Sequence, residues 1–153
     1  MFQPSQEDVR RFFCAVYAKS RADQPMEAIE QLASLWIEEH SEYFADLADV
    51  DKAVAATYEG GYAAMPDGSH GAKMNPFLHL SMHLSISEQC SIDQPRGIRQ
   101  AVELLAARRD DLHAAHHAVM DCLGQMLWES QQAGRPPDGE AYIACVQRKA
   151  TKD

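Results

Sequence analysis

The chain has 153 residues, the length of one domain, and a domain of this size buries roughly 70% of the surface its unfolded chain exposes. Hydrophobic residues make up 46% and charged residues 24%, a mix that excludes a wholly disordered chain and a disulfide-dense miniprotein. Acidic residues outnumber basic ones 23 to 14, and the formal charge of -9 repels phosphate, so free nucleic acid and anionic membranes are not expected partners.

Strand signals are nearly absent, and helix signals follow one another along the chain. Ser5 precedes Asp8 by three residues, a capping-box spacing, and Val9, Phe12, Phe13, Val16 and Tyr17 follow at helical intervals. After Pro25, the set Ile29, Leu32, Ala33, Trp36, Ile37 and His40 repeats with the period of a second helix. Tyr43, Phe44 and Leu47 continue an apolar face, and Val50 to Tyr58 reads as a further short helix. Residues 59–75, with four glycines and Pro66, read as an irregular loop inside one domain rather than as a boundary. Asn75-Pro76 is a helix start, and the segment 76–90 is apolar over most of its circumference, the pattern of a buried central helix. Residues 97–133 read as one long helix or as two with a break at Arg109-Asp110-Asp111. Gly134 and two prolines end that stretch, and Asp138 caps a last helix. The expectation is an all-α, single-domain bundle of about six helices spanning residues 1–153.

The seven histidines carry the most chemistry. His79 and His83 stand four residues apart, within about 40° of each other on one helix face, opposite Ser81, Ser85 and Glu88. His116 lies within the apolar stripe of Leu112, Val119, Met120 and Leu123, with His113 and His117 to either side. His40, if its helix extends that far, lines up with Ile29, Ala33 and Trp36. Neutral imidazole is a common ligand of zinc, iron, copper and nickel, and a His-x-x-x-His pair on a helix offers two nitrogens to one ion. His79, His83, His116, His113, His117 and His40 are therefore the candidate metal ligands. A carboxylate-bridged di-iron site would need Glu-x-x-His facing the same core, and that pattern is missing. The competing reading keeps the histidines as hydrogen-bonded core groups in a metal-free interaction or regulatory module. No phosphate-binding loop or nucleophile elbow is present, so no reaction is assigned.

Cys14, Cys90, Cys122 and Cys145 form no Cys-x-x-Cys pair, and each lies beside apolar residues on a predicted helix. The opening MFQPSQEDVRR is too charged for a signal peptide, so the reading is a cytoplasmic protein with reduced thiols. Long helices with exposed faces make a homodimer or another protein the expected kind of partner.

The segments MFQPSQEDVRRFFC, NPFLHLSMHLSISEQCSIDQPRGIR and HAAHHAVMDCLGQMLWESQQAGRPPD together resemble the proteobacterial family catalogued as a domain of unknown function, number 1841. The likeness spans nearly the whole chain. It implies a short bacterial cytoplasmic protein and no particular activity.

Overall fold

The computed structural model describes residues 5–57 and 75–151. The expected loop at 59–75 lies outside the described residues except for Asn75, as do His70 and the end of the helix expected to reach Tyr58. Among the described residues the fold is all-helical, as expected, but with eight α-helices and one 3-10 turn rather than about six helices. The chain divides into two compact units, Met1–Leu84 and Ser85–Asp153.

In the first unit, α1 (Gln6–Arg21) starts at the expected capping box: the Ser5 hydroxyl accepts from the Asp8 N–H, and the Asp8 carboxylate accepts from the Ser5 N–H. Its inner face buries Phe13, Cys14 and Val16. Helix α2 (Ala28–Glu38) opens with the Glu30 carboxylate accepting from the Glu27 N–H at 2.9 Å, and buries Ala33, Trp36 and Ile37. A 3-10 turn at Ser41–Tyr43 leads into α3 (Phe44–Leu47). Asp49 then caps α4 (Val50–Ala55) through the Asp51 and Lys52 N–H groups. At the other end of α4 the buried Arg10 guanidinium donates to the carbonyls of Ala53, at 2.9 Å, and Ala56, at 2.6 Å, which a short helix would otherwise leave unmatched. Asn75 starts α5 (Pro76–Ile92), its side chain accepting from the Phe77 N–H at 2.9 Å. Phe77, Leu80 and Leu84 join Phe13, Val16, Trp36, Ile37 and Leu47 in one core, and burying each large side chain is worth about 1.5–3 kcal/mol.

The second unit takes the remainder of α5, which ends where Arg99 donates to the carbonyls of Cys90, at 2.6 Å, and Ser91, at 2.8 Å. Between Pro76 and Cys90 the one exposed residue is Glu88, which fits the apolar circumference read from the sequence. Residues 97–133 form two helices: α6 (Ile98–Arg109) and α7 (Leu112–Ala133). The break falls at Asp110, which takes a left-handed conformation with φ 56°, and Asp111 caps α7 through the His113 and Ala114 N–H groups. Gly134, at φ 64°, closes α7 as the sequence indicated. Helix α8 (Gly139–Thr151) packs on α6 and α7, and the Tyr142 hydroxyl donates to the Gln89 side-chain oxygen at 2.7 Å. Leu112, expected in the apolar stripe, is exposed, as are Leu127 and Trp128.

One expectation is corrected here. Cys122 and Cys145 are not reduced thiols: they form a disulfide joining α7 to α8, with their Cα atoms 5.8 Å apart. Cys14 and Cys90 remain free.

Candidate metal centre

Asn75 fixes where α5 begins, and the 3.6-residue turn then places His79 and His83 on one face of it. Both are inside the protein, His79 at 3% and His83 at 0% exposure. Their Nε2 atoms lie 3.2 Å apart. Trp36 of α2 stacks on the His83 ring, with centroids 4.2 Å apart and planes inclined by 12°. That stacking holds the ring against rotation about its last side-chain bond.

His40 arrives differently from the sequence expectation. Helix α2 ends at Glu38, and His40 follows it in a non-helical conformation at the head of the 3-10 turn. The ring folds back so that Nδ1 sits 2.7 Å from the Trp36 carbonyl oxygen. A carbonyl oxygen only accepts, so Nδ1 carries the hydrogen and donates it. The lone pair is then on Nε2, and Nε2 lies 3.1 Å from Nε2 of His79. The tautomer follows from the partner, and a backbone carbonyl on the outer nitrogen is the usual means of orienting a metal-ligating histidine. Tyr43 stacks on the far face of His40, with centroids 5.2 Å apart and planes inclined by 6°. Burial, with Glu42 and Asp46 nearby, pushes the Tyr43 hydroxyl up to about 12, so it stays a neutral phenol.

Three imidazoles thus converge in a buried space, with one ring nitrogen of each within 4.8 Å of the others. A tetrahedral ion with nitrogens at about 2.0–2.1 Å holds its ligands about 3.3 Å apart. The two short contacts, 3.1 and 3.2 Å, lie close to that spacing. Hydrogen bonds alone fit less well. Nε2 of a neutral His79 is either a donor or an acceptor, yet it faces two ring nitrogens. If it donates to the lone pair of His40, it has none to offer His83. If it accepts from His83, it faces the lone pair of His40 with another lone pair. An ion would take all three lone pairs together. The triad includes no carboxylate or thiol among the described residues. Glu88, Glu103 and Asp121 are exposed, and Glu30 pairs with Lys19 at 2.7 Å.

The second unit holds the other candidates. His113 and His117 pair across one turn of α7, with ring centroids 4.5 Å apart and ring nitrogens within 4.8 Å. His116, between them in sequence, is not part of that pair. It is buried at 2%, and burial first, then its neighbours His113 and His117, pushes its pKa down to about 3. His116 is therefore a neutral imidazole at any ordinary pH. A nucleophilic Cys90 is disfavoured, because burial, with Glu103 adding to it, pushes the thiol up to about 11.

The structure therefore brings His40, His79 and His83 together in one unit and His113 with His117 in the other. Sequence reasoning missed the two ring walls. Trp36 was read as core and Tyr43 as part of an apolar face. The available signal was the spacing Trp36–His40–Tyr43, which puts three rings within two turns of chain.

No helix among the described residues is long and apolar enough to cross a membrane. No curated protein and no solved structure matches the chain. The match to a family extends over residues 5–148, nearly the whole chain, and includes all five paired histidines: the protein belongs to the family described as a domain of unknown function (DUF1841).

Proposed function

We propose that the protein binds a transition-metal ion through Nε2 of His40, His79 and His83. The observation behind this reading is the approach of three buried Nε2 atoms to 3.1 and 3.2 Å, with the His40 tautomer set by the Trp36 carbonyl. Three imidazoles leave at least one position on a four-coordinate ion for a further ligand. The test is elemental analysis of untagged protein purified without chelators, before and after reconstitution. About one equivalent of metal is expected, falling at least a hundredfold in affinity in His79→Ala/His83→Ala, with helix content followed by circular dichroism. No metal in the folded wild-type protein refutes the reading. Ligation by His116, His113 and His117, expected from the sequence, is tested by the same assay. A lower affinity in His113→Ala/His117→Ala or in His116→Ala makes those residues ligands. An unchanged affinity confines the site to the first unit.

The alternative is a metal-free interaction module. Its support is the exposure of Leu127, at 42%, and Trp128, at 61%, side by side on α7. The Cys122–Cys145 disulfide also weighs against the cytoplasmic location expected from the sequence, since reducing compartments keep most thiols unpaired.

A further inference from the structure

On the metal-binding reading above, we propose that the triad selects copper(I) over divalent ions. The first ground is charge. His40, His79 and His83 are neutral donors, and no carboxylate or thiol joins them among the described residues. The full charge of the ion would then stay in the site.

The second ground is burial. The three histidines are 3%, 3% and 0% exposed, with Trp36 stacked on His83 and Tyr43 on His40. The cost of taking an ion out of water rises with the square of its charge, so a monovalent ion costs about a quarter as much as a divalent one of similar size. Zinc, iron(II) or nickel(II) would each need an added anion, such as hydroxide, to reach the same charge. Copper(I) needs none.

Imidazole is an accepted donor for copper.

The experiment uses the full chain, metal-free and with its disulfide intact. It is incubated anaerobically with equal, limiting amounts of copper(I), supplied as its acetonitrile complex, and zinc(II). The desalted protein should hold about one equivalent of copper and at least about tenfold less zinc. Its copper X-ray absorption should show nitrogen neighbours and no sulfur. Copper should be lost in His79→Gln/His83→Gln and kept in Cys14→Ser/Cys90→Ser, which removes the free thiols that would otherwise capture this ion. Zinc at equal or higher occupancy would overturn the inference. So would a sulfur shell, or copper that leaves with the two thiols. In the first case the metal-binding reading still stands; in the other two the copper lies outside the triad, and the reading stands only where zinc is retained and is lost in His79→Gln/His83→Gln. Retention of neither ion refutes the metal-binding reading and the selectivity with it.

Discussion

Up to Leu84 the buried histidines are rings leaning on other rings: Trp36 on His83, Tyr43 on His40, and His79 between two histidines. From Ser85 onward the helices are tied by a covalent bond, Cys122 to Cys145, and the buried His116 is simply kept neutral. The two units meet one physical problem, polar groups inside a helical bundle, in two ways. In the first, the nitrogens are gathered so that one ion would serve them together. In the second, desolvation removes the charge and the disulfide supplies order that needs no ligand. The lesson is that a buried histidine is not by itself a ligand. His79 and His116 are almost equally buried, yet His79 is among the histidines whose ring nitrogens gather within 4.8 Å and His116 is not.

The comparison breaks most readily at Trp36. Trp36→Ala removes a side chain that is 2% exposed and frees the His83 ring, and it should destabilise the protein by about 3–5 kcal/mol, read by urea denaturation. If the loss is under about 1 kcal/mol, the rings of the first unit are not mutually supporting. Next comes Cys122→Ser/Cys145→Ser. The disulfide closes a sequence separation of 23 residues, and its loss should cost about 3 kcal/mol, seen as a lower melting temperature that is insensitive to added metal in sign and size. The smallest effect belongs to Glu30. Hydrogen bonding to Lys19 first, and to the Glu27 backbone second, lowers its pKa below the usual 4.5. A lowered carboxylate pKa means the unfolded chain binds the extra proton. Its stabilisation is therefore present above about pH 4.5 and is lost as pH falls through the folded value. Glu30→Gln should give a shallower fall of stability below about pH 4.5 than wild type, measured by denaturation from neutral pH down through that range.

Much of the fold was legible because it depends on local chemistry. The Ser5–Asp8 capping box, the Asn75-Pro76 start and the Gly134 stop are each decided by a few adjacent residues. The break at Asp110-Asp111 was legible as a place but not as an outcome, since two aspartates fit an exposed helix turn as well as a cap. The inward face of His79 and His83 was also legible, because a helical period relates residues four apart. His40 was not. Its position depends on where α2 stops and on a ring that turns back to a carbonyl, and periodicity describes only the residues within a helix. The Cys122–Cys145 pair was missed for a similar reason. Each cysteine sits among apolar neighbours, and pairing requires knowing which faces of α7 and α8 meet.

That same disulfide changes what it takes to lose the end of the chain. The link between α7 and α8, residues 134–138, is exposed throughout, the kind of site where proteases cut. Cys122 lies before it and Cys145 after it. A single cut there leaves two peptides that are still one molecule, with α8 held against α6 and α7. Release of α8 requires two events, hydrolysis of the backbone and reduction of the bond, and neither alone suffices. The last helix is thus held by a logical AND between a protease and a reductant.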